Sequence, residues 1–217
     1  MHEHSLETVY RGYFECAAND RVAANLLFDN AQYPLAIFHL QQYLEKLSKC
    51  YMLAFEKCYI HEVNKSHDIL EILKKEQIRT GLLEKNQKMN LIEWAEELET
   101  IHSPNIEMFT KISEEFIDLG RKILPRIIGN ITSEQLNETA RYFGILTTLI
   151  VLTRKHETFT RYPAVNIDDK DYTDYNESSG IVHMFPFMIK QAKMIEDLLI
   201  IKMKTEFGFT SVPDDVA

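Results

Sequence analysis

Polar side chains capable of chemistry gather at four places along this sequence. The densest set is Asp20 on a first helical stretch with Gln42, Glu45, Lys46 and Lys49 on a second. Glu45 and Lys49 stand four residues apart in the favourable acid-then-base order, which sets an ion pair along one helix face. On a surface such a pair adds little stability. With Asp20, the same residues form a polar patch beside a helical seam, where Asp20 can pair with a lysine of the opposite helix and fix the register. The second set, His67 and Asp68, lies at a helix start, where an acidic residue complements the dipole and free N–H groups can hold a phosphate. Arg154, Lys155 and His156 close another helix, where positive charge complements the opposite end of the dipole. Arg161 stands apart, either as a phosphate-binding arginine or as a tie between a loop and the core.

Metal and nucleotide motifs are missing. A di-iron carboxylate bundle needs two Glu-x-x-His motifs and two further Glu, and only Glu99-Thr100-Ile101-His102 occurs. His61-Glu62 is followed by Val63, Asn64 and Lys65, so HExxH is absent, as are GxGxxG, the Walker loop and GxSxG. No metal and no cofactor is expected. Cys16, Cys50 and Cys58 are odd in number and form no CxxC, which points to reduced thiols in a cytoplasmic protein. A net charge of −9 does not suit a general nucleic-acid coat, although a local basic groove is compatible with it. Met1-His2-Glu3-His4 does not begin a signal peptide. The apolar run from Tyr142 to Val151 falls short of the roughly 20 residues of a membrane span, so no membrane association is expected.

These residues must be positioned by helices. Only 7 Gly and 6 Pro interrupt 217 residues that are 45% hydrophobic, which favours long helices around a real core. Leu6, Tyr10, Tyr13, Ala17, Ala24 and Leu27 set a helix from Ser5 to about Asn30, with Asp20 and Arg21 falling near its apolar face. Asn30 to Pro34 is a break. Ile37, Leu40, Leu44, Leu47, Tyr51, Ala54 and Cys58 then alternate by three and four, which predicts a second helix to about Tyr59 and an antiparallel hairpin. Ser66 caps a shorter helix, and residues 82–101 form another with Trp94. Ser103-Pro104 opens a helix to about Leu124, which Pro125 and Gly129 end or kink. Thr132 and Gln135 make a capping box for a strongly apolar, central helix to about His156. Residues 163–180 read as an acidic loop, residues 181–207 as a last helix whose Met and Phe side chains suit core or dimer interface, and residues 208–217 as a loose tail.

The stretch Cys16 to Phe55 resembles the HEPN family (higher eukaryote and prokaryote nucleotide-binding domains). The family pattern has an Asp and small residues on the first helix and an aromatic at the turn, then Ala, Gln-Gln, Glu-Lys and Lys on the second. Here these are Asp20, Ala24, Tyr33, Ala36, Gln41, Gln42, Glu45, Lys46 and Lys49. Ser66-His67-Asp68-Ile69-Leu70 resembles the His-Asp-Leu opening of the family's third helix, and Arg161-Tyr162-Pro163 a late Arg-Tyr-Pro segment. The resemblance is best over residues 8–80, with 81–160 a helical elaboration of a single domain over 1–217.

That resemblance implies an all-α, up-and-down bundle built on the long N-terminal hairpin, with extra helices. It implies a binding module, dimeric, that engages a nucleotide, an RNA or a partner protein such as a nucleotidyltransferase, sometimes within a toxin–antitoxin pair. The ligand-binding candidates are Asp20, Gln42, Glu45, Lys46, Lys49, His67, Asp68 and Arg161. Many HEPN proteins are similar to metal-independent ribonucleases, whose motif is an Arg, four to six residues, then a His. No Arg precedes any of the 8 His at that interval. Arg154 and His156 come nearest, but alternate positions of a helix point about 200° apart. A ribonuclease with a rearranged site would use His67 or His156 as base and Arg154 or Arg161 as phosphate clamp. The plainest alternative is a purely structural helical protein.

Overall fold

The computed structural model describes residues 6–55, 104–128, 130–154, 156 and 175–208. Among them are five helices and no strand: α1 (Leu6–Asp29), α2 (Tyr33–Phe55), α3 (Ile106–Ile128), α4 (Ser133–Arg154) and α5 (Gly180–Phe207). The expected helices after Ser66 and over 82–101, and the acidic loop up to residue 174, lie outside the described residues, as does the tail from residue 209.

The turn between α1 and α2 is set by hydrogen bonding. Gln32 N–H donates to the Leu27 carbonyl at 2.8 Å and Ala31 N–H to the Phe28 carbonyl at 3.0 Å. This is a Schellman end, and its pivotal residue, Ala31, has φ 55° where glycine is usual. The three-residue turn forces α2 back antiparallel to α1. Ala17 and Ala24 of α1 and Ala36 of α2 are fully buried, small side chains that let the two axes approach, and Leu40 and Leu47 of α2 are fully buried as well.

α3 and α4 form a second hairpin. Its close approach depends on Gly120, beside Phe143 and Ala140, and on Gly144, beside Ile117 and the Ser113 carbonyl. Ser113 Oγ and Thr148 Oγ1 hydrogen-bond at 3.1 Å across this seam. α4 is buried nearly all round from Thr139 to Thr153, as its apolar sequence requires. Three of its threonines are satisfied within the helix: the Thr147 and Thr148 hydroxyls each donate to a carbonyl four residues back at 2.8 Å, and the Thr153 hydroxyl to the Leu149 carbonyl at 2.9 Å.

The expected capping box is present, with Thr132 N–H donating to Gln135 Oε1 at 3.0 Å and Gln135 N–H to Thr132 Oγ1 at 3.2 Å. Two expectations for α3 need correction. Its N-cap is Asn105, whose Oδ1 accepts from Met108 N–H at 2.9 Å, so Pro104 precedes the helix and does not open it. Pro125 does not end it either: the helix continues to Ile128. Proline there removes one hydrogen bond from the last turn only, and the packed Leu124 holds that turn in place.

α2 and α4 lie at the centre, α2 touching α1, α4 and α5. Tyr51 Oη donates to the Thr139 carbonyl at 2.9 Å, joining the two hairpins. Phe28 of α1 stacks on Phe185 of α5 with centroids 4.2 Å apart. One continuous apolar cluster draws on all five helices.

Candidate functional site: a polar ladder on the hairpin

Because α2 is buried on most of its circumference, access to solvent among its described residues falls to Tyr33, Pro34 and Leu35 at its start and to the partly exposed stripe Phe38, His39, Gln42, Glu45 and Lys46. Asp20 projects from α1 towards the middle of that stripe. Its Oδ1 lies 2.9 Å from His39 Nδ1 and its Oδ2 accepts from Lys46 Nζ at 2.5 Å. Asp20 therefore does pair with a lysine across the hairpin. Lys46 Nζ also reaches Gln42 Oε1 at 3.4 Å, and the Gln42 amide donates to Gln41 Oε1 at 2.7 Å. With Nδ1 facing Asp20, Nε2 lies on the opposite side of the His39 ring.

One turn further, Lys49 Nζ donates to Glu45 Oε1 at 2.9 Å and stands 5.2 Å over the Tyr13 ring. This pair is not the surface pair expected from its spacing. The two side chains are only 9% and 13% exposed, and the lysine ammonium lies over the Tyr13 ring of α1. Burial, with the nearby Glu45 carboxylate, raises the Tyr13 pKa above its ordinary 10.0.

The structure thus brings Asp20, Gln42, Glu45, Lys46 and Lys49 onto one ladder. His67, Asp68 and Arg161 lie outside the described residues. His156 is 1% exposed, its Nδ1 2.7 Å from Tyr175 Oη. A base must meet its substrate, so a buried His156 does not fit the role the ribonuclease alternative gives it. Arg154, partly buried at the end of α4, belongs to that region and not to the ladder. Among the described residues, no three His, Cys, Asp or Glu gather as a metal site.

His39 was not among the sequence candidates, yet its signal was present: it precedes Gln42 by three and Lys46 by seven, the spacing of one helix face. A second network has no signal in the sequence spacing. Glu196 of α5 is 2% exposed and accepts on Oε2 from Arg21 Nε at 2.9 Å and from Tyr43 Oη at 2.5 Å. Lys193 Nζ reaches its Oε1 at 3.2 Å. Burial pushes the Tyr43 pKa well above 10.0, and the Glu196 carboxylate pushes it further. Arg21 and Glu196 are opposite charges buried among apolar side chains, and their pairing offsets part of the cost of desolvating each.

Two helical hairpins and a further helix among the described residues, with a polar ladder on the first hairpin, define an all-α bundle whose site is carried by helices rather than loops. The sequence model of the HEPN domain matches residues 10–123, which is more than half of the 217 residues, and the chain belongs to the HEPN family. No curated protein and no solved structure matches it. No helix among the described residues is long and apolar enough to cross a membrane.

Proposed function

We propose that this chain is a dimeric HEPN binding module that engages a nucleotide or a short single-stranded RNA at the hairpin ladder. The supporting observation is the convergence of His39 and Lys46 on Asp20, beside the Gln42 amide. Together they set donors and acceptors of fixed direction on two rigid helices. Charge in the ladder nearly cancels, and the chain carries −9 overall. That balance suits recognition of one or a few nucleotides by hydrogen bonds, rather than a long polyanion by counterion release. Helices α4 and α5 then serve to hold the hairpin within a single domain. The missing Arg-to-His interval and the burial of His156 weigh against a ribonuclease.

A second reading, docking of a partner protein such as a nucleotidyltransferase, draws on the exposed Leu35, which adjoins the polar ladder at its α2 end. Titration of mononucleotides and RNA oligomers against Lys46→Met and His39→Ala variants separates the two. The nucleotide reading expects saturable binding that both substitutions weaken. Binding to neither nucleotides nor RNA, with capture of a co-expressed nucleotidyltransferase that Leu35→Glu abolishes, would favour the second.

A further inference from the structure

Asp20 and its two partners are the open part of the ladder. The Asp20, His39 and Lys46 side chains are 16%, 30% and 22% exposed, whereas the neighbouring Glu45–Lys49 pair is closed on itself. An ionised carboxylate only accepts hydrogen bonds, so the proton between Asp20 and His39 belongs to Nδ1. The Phe38 ring stands edge-on to the imidazole, with centroids 5.3 Å apart. Nε2, on the far side of the ring from Asp20, changes character with protonation: a lone pair in the neutral ring, an N–H in the charged one. Charge follows the same switch. Asp20 cancels Lys46 and Glu45 cancels Lys49, so the ladder has an excess of positive charge only when His39 is protonated.

We infer that Asp20, His39 and Lys46 form a subsite for a phosphate group, which enters together with a proton taken up by His39. This rests on the nucleotide reading proposed above and adds which part of the ligand is held here and how pH controls it. A phosphate oxygen presents lone pairs. It is repelled by the bare Nε2 of a neutral ring and accepts a charge-assisted hydrogen bond from the Nε2–H of a charged one. Lys46 Nζ, held at the same carboxylate, supplies a second cationic donor. Asp20 is the positioning residue: it turns Nε2 away from itself, and its charge lies between the imidazolium and the ammonium, which would otherwise repel each other. The other charges near this turn answer one another. Arg21, next to Asp20 on α1, is buried against Glu196 of α5, which Lys193 of α5 also reaches. α4 hydrogen-bonds to α2 at Tyr51, about 18 Å along the helix from His39.

Isothermal titration with the dinucleotide UpU tests the coupling, because its single phosphodiester and its bases do not titrate between about pH 5 and 8, where imidazole does. An anion beside an imidazole raises its proton affinity by about ten- to a thousandfold. The bound state therefore holds more protons, and UpU binding is expected to tighten roughly tenfold or more as pH falls from about 8 to 6. Heats in two phosphate-free buffers of different ionisation enthalpy are expected to show proton uptake on binding. His39→Gln keeps a hydrogen-bonding side chain that cannot become charged. It is expected to abolish the uptake and the pH dependence, with unchanged helical circular dichroism. Lys46→Gln is expected to weaken binding at every pH and to keep the pH dependence. UMP, run alongside, tells a terminal phosphate from an internal one: uptake that His39→Gln removes, with either ligand, supports the subsite. Binding of equal strength at both ends of the pH range, or a pH dependence that survives His39→Gln, overturns the subsite while leaving a nucleotide site on the ladder. No binding of UpU or UMP at any pH overturns both.

Discussion

Arg21 Nε of α1 donates to Glu196 Oε2 of α5 at 2.9 Å, across 175 residues of sequence, with both side chains buried. The contact fastens the last helix to the hairpin that carries the ladder. Taking both charges out of water costs a great deal, so the pair chiefly specifies where α5 sits. Removing one partner leaves the other buried and uncompensated. Glu196→Ala is expected to lower stability by about 3–5 kcal/mol in urea denaturation. The double change Arg21→Met, Glu196→Leu should recover most of that loss. A loss below about 1 kcal/mol for the single change would mean that the pair behaves as an exposed one.

Alkaline pH should loosen the same junction. Tyr43 and Cys50 are held protonated by burial, their pKa values raised from 10.0 and 9.0. The folded chain therefore keeps protons that the unfolded chain releases. Stability from these groups is complete below pH 9 and declines as pH rises through and beyond the two unfolded values. Urea midpoints measured from pH 8 to pH 11 should fall across that window, and Cys50→Ala should flatten its first part. A flat profile would contradict the burial of both groups. The exposed Cys16 should meanwhile react with a thiol reagent in the native state, and Cys50 should not.

The second hairpin offers a graded comparison. A Cβ at Gly144 would lie 2.5 Å from Ile117 Cγ1, 2.8 Å from Ile117 N and 2.9 Å from the Ser113 carbonyl. Two of those three are backbone atoms and cannot swing aside. At Gly120 the nearest atom, Phe143 Cδ1 at 2.9 Å, belongs to a ring that can tilt. Gly144→Ala should cost about 2–3 kcal/mol despite the gain in helix propensity. Gly120→Ala should cost clearly less. Equal thermal shifts for the two variants would show that α3 and α4 are not so closely packed.

Ala31 holds a left-handed conformation at φ 55° that a glycine adopts without strain. Ala31→Gly is expected to stabilise the chain by about 0.5–1 kcal/mol, the relief of strain exceeding the added entropy of the unfolded state. A destabilising result would remove the Schellman geometry assigned to this turn.

Much of this architecture is legible in the residues themselves. The heptad of α2, the capping box at Thr132 and the apolar run of α4 each encode local geometry, and local geometry survives folding. Asp20 facing the lysines could be read as well, because a hairpin with a short turn admits few registers. Harder to read were contacts between distant elements. Glu196 looks like an ordinary helix glutamate until α5 is laid against Arg21, and no spacing within α5 specifies that placement. His39 is legible from sequence only by its spacing from Gln42 and Lys46, not as a site residue, because histidine in a helix interior carries no motif. The spacing of Glu45 and Lys49 encodes their pairing but not their burial, because it says nothing of the Tyr13 ring beside the lysine. Pro125 shows the converse: a residue that breaks helices in isolation is carried through by packing in a last turn.

The central claim is that the ladder centred on Asp20 binds a nucleotide or short RNA. Its most direct test is isothermal titration of nucleotides and single-stranded RNA oligomers into the purified chain and into Asp20→Asn. That change keeps the shape of the side chain but removes the charge on which His39 and Lys46 converge. The account predicts saturable binding by the wild type, weakened roughly tenfold or more by Asp20→Asn, with the helical circular dichroism of the wild type retained. Wild-type binding that Asp20→Asn leaves unchanged, or no binding of any nucleotide or RNA, would contradict it.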